Sequence, residues 1–287
     1  VYRILEKQVL SDVVKLMVVE APEVARKAQA GQFVIIRIDE YGERIPLTVA
    51  DLDRDAGTIT LIFQEVGKST MKLGTLEVGD AIADFVGPLG NPSEIENYGT
   101  VVCVGGGVGI APIYPIARAL KEAGNTVLGI IGARSQDLLF WEDEMRAVCD
   151  ELIVCTDDGS YGRMALITAP LKEILESRQD VSRVWAVGPA IALKFCARTT
   201  EPFGVPIIVS LNSIMVDGTG MCGACRVEVG GQTRFVCVDG PEFDGHQVDW
   251  DLLLARQRIY LAEEQRARET WVQQHACKLE AALQPEA

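Results

Sequence analysis

Basic residues are in deficit: 27 Lys and Arg stand against 41 Asp and Glu, for a formal net charge of −14. A surface of that sign repels polyphosphates and anionic lipid, which excludes nucleic acid and an anionic membrane face as main partners. A partner protein as acidic as this chain would need a local basic patch, which the sequence does not display. The chain has no low-complexity tract, and 287 residues at 48% hydrophobic are enough for two or more domains, each with its own core. It also lacks a membrane span. Residues 98–117 carry no charge, but glycines at 105, 106, 107 and 109 and prolines at 112 and 115 break any apolar helix there. No secretory leader and no disulfide framework are evident, so a reducing, cytoplasmic location is the expectation.

What the chain does have is eight cysteines, unevenly used. Cys103, Cys149, Cys155, Cys196 and Cys277 are scattered, and the first four lie in apolar segments where Cys is a small core residue. The other three fall in the order Asp217-x4-Cys222-x2-Cys225-x11-Cys237, with glycines at 218, 220 and 223. This is the plant-type [2Fe-2S] spacing with Asp in place of the first Cys. A two-iron cluster needs anionic ligands on a short loop that curls around it, and glycine lets the backbone bend tightly and aim its N–H groups at the sulfides. An iron-sulfur site with one oxygen ligand is the favoured reading. Two others stay open: zinc held by the three Cys and His246, or no metal, with Asp217-Gly218 as a turn and the Cys as packing residues.

Taken in order, residues 1–96 read as short strands separated by turns. VVKLMVVEA, GQFVIIRID, RIPLTVADL and GTITLIFQEV are rich in β-branched residues, which predicts a small antiparallel β-barrel. Within it, Arg44 to Thr48 joins a fixed cation, a stiffening Pro and a hydroxyl, and Gly67 to Leu73 is a glycine turn leading into a short helix. Such a helix start offers free N–H groups to a pyrophosphate. From about residue 97, apolar runs ending in Gly, Asp or Ser alternate with helical periodicity. That predicts a parallel-sheet α/β domain to residue 205, with a glycine-rich loop after its first strand. Gly107-x-Gly109-x-x closes on Pro112, a departure from G-x-G-x-x-G, yet still a loop suited to a dinucleotide pyrophosphate.

The segment 206–245 is expected to form a cluster domain. RVEVGGQTRFVCVDG reads as a hairpin turning at Gly230-Gly231, holding Cys225 and Cys237 at opposite ends of paired strands. Residues 246–287 form a helical extension. From Asp249 to about Leu283 a charged helix or pair of helices carries an incomplete apolar stripe of Trp250, Leu253, Leu254, Leu261 and Trp271, which suits either a solvated helix or a partner-binding arm.

Together RIPLT, GKST, GGGVGIAP, CTDDGSYG, VGPAIALK and the cluster spacing resemble the ferredoxin-NADP reductase-like flavoprotein superfamily, in the branch with a C-terminal [2Fe-2S] domain. That branch includes the electron-transfer subunits of type 1B dihydroorotate dehydrogenase and the small subunits of NADH-dependent ferredoxin:NADP oxidoreductases, which are bifurcating transhydrogenases. Asp217 in place of Cys is similar to the latter. The resemblance implies that Arg44, Pro46, Leu47 and Thr48 hold FAD and that Gly67, Lys68, Ser69 and Thr70 cradle its pyrophosphate. Gly107, Gly109 and Pro112 would line the nicotinamide dinucleotide loop, with Asp157, Asp158, Gly188 and Pro189 on the same face. Where plant-type reductases have a Cys before Gly-Pro, this chain has Val187. Arg134 is placed to meet a 2′-phosphate or the adenine side of NAD; NAD(H) is favoured over NADP.

The resemblance implies an NAD(P)H-dependent electron-transfer subunit that works with FAD, a [2Fe-2S] cluster and a larger flavin/iron-sulfur partner subunit, through which a ferredoxin would be met. Hydride transfer needs no side-chain acid, base or nucleophile, so the expected site is a set of cofactor-holding residues with no catalytic side chain. The alternatives are service to another partner, such as a dihydroorotate dehydrogenase, a hydrogenase or a glutamate synthase-like flavoprotein, and a non-enzymatic, metal-stabilised adaptor.

Overall fold

The computed structural model describes residues 1–282, with side chains described through residue 274. The first seven strands are β1 (Tyr2–Val9), β2 (Val14–Glu20), β3 (Phe33–Arg37), β4 (Arg44–Asp53), β5 (Thr58–Gln64), β6 (Ala81–Ile82) and β7 (Asp84–Leu89). They pair antiparallel in the order β6-β1-β2-β5-β4-β3-β7. The two edge strands of this sheet are separated in sequence by Ala83 alone, so the sheet must curl until its ends meet, and the expected barrel results. Its interior is filled by Ile4, Met17, Val34, Ile36, Ile59, Leu61, Phe63 and Phe85, all buried. Two short helices attach to it, α1 (Pro22–Ala25) and α2 (Lys68–Gly74).

The second sheet is built from β8 (Thr100–Gly106), β9 (Thr126–Ala133), β10 (Glu151–Thr156), β11 (Arg163–Met164), β12 (Val181–Val187) and β13 (Ile207–Ser210), joined in parallel in the order β11-β10-β9-β8-β12-β13. Strand β8 is buried along its whole length, as a near-continuous apolar run requires. Its alternate residues serve two cores. Val101 and Cys103 share one with α3 (Ile110–Glu122) and α4 (Glu142–Val148), while Val102 and Val104 share the other with α5 (Thr168–Ser177) and α6 (Ala190–Thr200). Cys103, Cys155 and Cys196 are buried and Cys149 half-buried, as their apolar surroundings predict. Burial pushes the Cys149 and Cys196 thiols up to about 12, so they are inert at neutral pH. Cys277 lies outside the residues whose side chains are described. The uncharged stretch 98–117 is strand plus loop plus helix, and among the described residues no helix is long and apolar enough to cross a membrane.

The remaining strands are β14 (Arg226–Val229) and β15 (Gln232–Phe235), the expected hairpin, and β16 (Glu242–Asp244). Strand β16 adds antiparallel to β13, so the parallel sheet draws two strands from beyond residue 205. The short helix α7 (Val236–Asp239) follows β15. One expectation fails here: Cys225 and Cys237 lie at the same end of the hairpin. Arg226 pairs with Phe235, and an antiparallel hairpin necessarily brings the residues flanking its first and last positions together.

The C-terminal part is a pair of helices, α8 (Trp250–Gln257) and α9 (Leu261–Ala282). The Asp249 side chain caps α8 by accepting from the Leu252 N–H. Trp250 and Leu253 are buried and Leu254 packs on the same core, but Leu261 is 50% exposed. The stripe therefore divides between the two helices, and α9 leaves the core to run alongside α2. Leu283, the expected end of this helical stretch, and residues 284–287 lie outside the described residues.

Candidate cofactor sites and cluster loop

On the barrel, β4 presents Arg44 to Thr48 with Pro46 opposite Ile35 and Thr48 opposite Phe33 of β3. The glycine turn is tied to the start of that strand: Ser69 Oγ donates to Glu43 Oε2 at 2.8 Å, and Lys72 pairs with Asp39 in the same loop. The two segments expected at FAD are thus neighbours. Thr70 acts as a cap, its hydroxyl accepting from the Gly67 N–H at 3.1 Å and the Val66 N–H at 3.2 Å. The first-turn N–H groups that follow have no intrahelical partner, as at any helix start. Arg44 and Lys68 make no ion pair or side-chain hydrogen bond among the described residues, which leaves one cation on each of these two neighbouring segments.

The dinucleotide segments converge at the carboxyl ends of the parallel strands. The chain leaves β8 toward β9 on one side and β12 on the other, so the switch point of the sheet lies between the loops that follow β8 and β12. Gly107 takes φ of 56° with open space beside it. Gly109 is a close-approach glycine: a Cβ there would stand 2.3 Å from the Val187 carbonyl oxygen. A Cβ on Gly188 would stand 3.1 Å from the Gly106 carbonyl oxygen, and Pro189 is next to it. Pro112 occupies the first turn of α3, where a missing N–H costs nothing. Farther along the same edge, the Asp157 N–H donates to the Ala133 carbonyl at 3.0 Å and the Asp158 N–H to that of Arg134 at 3.1 Å. The Asp158 carboxylate is spent on Ser160, accepting from its hydroxyl and N–H, which lowers its pKa. It holds a turn. The Asp157 carboxylate and the Arg134 guanidinium have no side-chain partner among the described residues.

Gly109→Ala is expected to cost about 1–3 kcal/mol, since its φ of −63° suits alanine but a Cβ would press on backbone at both Val187 and Gly188, whose nitrogen would stand 2.8 Å away. Pushing the loop away from β12 is expected to raise the dinucleotide KM about tenfold or more. Thermal unfolding and NADH-dependent dye reduction check both effects.

The cluster loop is bent by three left-handed glycines, Gly218 at φ 77°, Gly220 at 83° and Gly223 at 66°. The Asp217 carboxylate accepts from the Thr219 N–H at 2.6 Å, the Thr219 hydroxyl at 3.2 Å and the Cys222 N–H at 2.7 Å. The Thr219 and Cys222 bonds hold its pKa down to about 2, so it is an anion at any working pH. Cys225 and Cys237 are each 2% exposed, with Sγ atoms 3.3 Å apart. Cys222 is exposed. The structure brings two of the four expected ligands into contact and keeps the other two on the same loop. Among the described residues no three Cys, His, Asp or Glu side chains converge on one point. His246 bonds to Thr200 of α6 at 2.8 Å and is no fourth zinc ligand here. A pair of touching buried thiols, a third thiol at the rim, a fixed carboxylate and a loop of left-handed glycines form a donor set that fits a [2Fe-2S] cluster.

The loop rests on the barrel. A Cβ on Gly218 would stand 2.7 Å from Ile35 Cδ1 and 2.6 Å from Leu89 Cδ1, and Cys225, Cys237 and Val236 share one continuous core with Phe33 and Ile35. Residues 212–249, which contain all four expected ligands, match the iron-sulfur cluster binding domain of dihydroorotate dehydrogenase B. A Thermotoga maritima homolog of the dihydroorotate dehydrogenase B (NAD(+)) electron transfer subunit is 55% identical over 86% of this chain and 86% of its own. The corresponding electron transfer subunit of Bacillus caldolyticus is 34% identical over 77% of this chain and 86% of its own.

The chain belongs to the dihydroorotate dehydrogenase B electron transfer subunit family. Among solved structures, that of an NADH-dependent reduced ferredoxin-NADP oxidoreductase, described for flavin-based electron bifurcation, matches with a TM-score of 0.90 and 50% identity over 95% of this chain and 98% of that one. This member of the electron transfer subunit family is therefore an oxidoreductase subunit with the ferredoxin-NADP reductase-like fold and an appended iron-sulfur domain, as the six motifs imply.

Three features of this electron transfer subunit escape sequence reasoning. One is a carboxyl, Glu242, enclosed between the two sheets, where it accepts from Ser93 Oγ at 2.6 Å. Another is Arg118 of α3, which reaches Asp51 of β4 at 2.6 Å and ties that helix to the barrel. The third is the approach of α9 to Lys68. No local pattern marks any of them, because each is made by residues far apart in sequence.

Proposed function

We propose that this subunit passes electrons between NAD(H) and a larger flavin/iron-sulfur partner subunit, with FAD on the barrel and a [2Fe-2S] cluster on the loop 217–237, in a bifurcating NADH, ferredoxin and NADP oxidoreductase. The observation that carries it is the seating of the cluster loop on β3, the strand paired to the one bearing Arg44 to Thr48. When bound, FAD interconverts a hydride with single electrons and the cluster carries those electrons onward.

The chain's own residues supply holding and orientation. Arg44 and Lys68 would be cations for phosphate, Pro46 and Leu47 shape the strand, and the Thr48 hydroxyl would be a polar contact for the bound flavin. Gly67, Ser69 and Thr70 form the turn. Gly107, Gly109, Pro112, Gly188 and Pro189 let the dinucleotide approach the switch point, with Arg134, Asp157 and Asp158 beyond them. Asp217, Cys222, Cys225 and Cys237 are the proposed iron ligands, and burial of the thiol pair excludes water from that side. The proposed functional units are 1–96, 97–205, 206–245 and 246–287, with β13 and β16 lent by the cluster segment to the parallel sheet. NAD(H) is preferred over NADP because the electron transfer subunits this chain resembles are NAD(+) proteins and the similar oxidoreductase, though it also acts on NADP, is NADH-dependent.

The test is steady-state dye reduction by purified protein with NADH and NADPH, alongside metal and flavin analysis. Faster reduction with NADH and an iron-to-flavin ratio of about two support the proposal. A colourless, zinc-containing protein with no dye reduction would sink it and leave an adaptor. The family name favours a second reading, a dihydroorotate dehydrogenase-type partner, and identification of the co-purifying subunit separates the two.

A further inference from the structure

A groove of about 300 Å³ runs between the start of α2 and the inner side of α9, lined by Lys68, Arg266, Ala267, Thr270, Trp271 and Gln274. We propose that this groove receives the adenosine-phosphate half of FAD, so that the C-terminal helix forms the outer wall of the flavin site. The inference rests on the FAD reading above and adds residues that none of the flavin motifs contains.

The lining has the chemistry of a nucleotide site. Lys68 has no anionic partner among the described residues, and it belongs to the turn proposed for the pyrophosphate. Arg266 supplies a second cation whose charge is shared with Glu263 at 3.0 Å and which also donates to the Ala262 carbonyl at 3.2 Å. Trp271 offers an indole face for a purine, and Thr270 and Gln274 offer polar edges, though the Thr270 hydroxyl already donates to the Arg266 carbonyl at 2.9 Å. The volume lies at the lower end of the roughly 300–1,000 Å³ of small-molecule sites, which suits one nucleoside with its phosphate better than a whole dinucleotide. Among the described side chains of α9, Leu261 is 50% and Val272 45% exposed, so neither of these explains the helix's position by packing.

The experiment compares FAD and FMN binding to flavin-free full-length protein, by flavin fluorescence, for the parent, Trp271→Ala, Trp271→Phe and Arg266→Gln. FMN lacks the adenylate, so it reports the isoalloxazine pocket alone. Trp271→Ala is expected to weaken FAD about tenfold with FMN unchanged, Trp271→Phe to restore most of the loss, and Arg266→Gln to weaken FAD severalfold. Equal loss for FAD and FMN would mean a merely structural helix and overturn the inference. So would unchanged FAD affinity, or a rise in the KM for NADH with FAD affinity unchanged, which would assign the groove to the other adenylate. If the parent binds neither flavin, the proposed function itself fails, an outcome distinct from these.

Discussion

Cys225→Ser and Cys237→Ser are each expected to reduce bound iron from about two per chain to near zero, with FAD retained and the cluster absorption lost. The two thiols touch in a pocket that is 2% exposed at each residue, closed by Val236, Phe33 and Ile35. A serine oxygen is a poorer, harder donor, and burial raises the cost of ionising it. The Cys237 thiol is itself pushed up to about 12 by burial and by Cys225, so metal binding must displace its proton. NADH-dependent reduction of a dye that accepts from flavin should persist, while reduction of a one-electron acceptor that depends on the cluster should fall by at least about tenfold. Asp217→Cys is the contrasting variant. It should keep iron and absorption and shift the reduction potential, because a thiolate donates to iron more covalently than a carboxylate. Full iron retention in Cys225→Ser would refute the ligand set, and an unchanged potential in Asp217→Cys would remove Asp217 from it.

The parts of this molecule that were legible in sequence are those whose cause is local. β-branched runs between glycines gave the barrel strands, the apolar TVVCV gave the central parallel strand, and Gly67 and Gly107 marked the turns into α2 and α3, the two loops proposed for phosphate. The cluster segment was legible because its ligands must come from one short loop. Tertiary consequences were not. The direction of the hairpin alone decides that Cys225 and Cys237 meet, and a strand count without register misplaced them. Strand β16 hides behind Pro241 in a charged stretch, and only its pairing with Ser210 and its neighbours reveals it as the edge of the parallel sheet. Trp141 takes φ of 55°, a left-handed conformation rare outside glycine, and packs edge-on to Tyr114 with centroids 5.0 Å apart. Nothing near it in sequence signals that geometry. Arg118 and Asp51 both look like ordinary surface charges until α3 is laid across β4.

Glu242→Gln is expected to remove a pH dependence of stability that the parent chain carries. Glu242 lies on β16 opposite Ser210, and although the residue as a whole keeps some exposure, its carboxyl is enclosed. Ser93 donates to it at 2.6 Å, and a Cβ on Gly31 would stand 3.1 Å from Oε1. The buried indole N–H of Trp185 comes near without the alignment of a full hydrogen bond, and it favours the charged carboxyl only weakly. Burial therefore dominates and raises the Glu242 pKa from its ordinary 4.5 to about 7, with Ser93 and Trp185 offsetting part of the rise. Between those two values the folded chain keeps a proton that the unfolded chain has released. Stability from this group is thus full below pH 4.5, declines as pH rises toward 7 and is flat above. Allowing for the residual exposure, the loss is about 2–3 kcal/mol. Glutamine is neutral at every pH and keeps an oxygen to accept from Ser93, so the variant should hold its low-pH stability at pH 8 and unfold several degrees above the parent there. Because the carboxyl joins Ser93, just after the barrel, to the edge strand of the parallel sheet, its ionisation strains the junction between the two sheets. Thermal unfolding of both proteins at pH 5 and pH 8 decides it: parallel pH profiles would show that Glu242 is ionised in the folded chain at neutral pH and that the junction tolerates its charge.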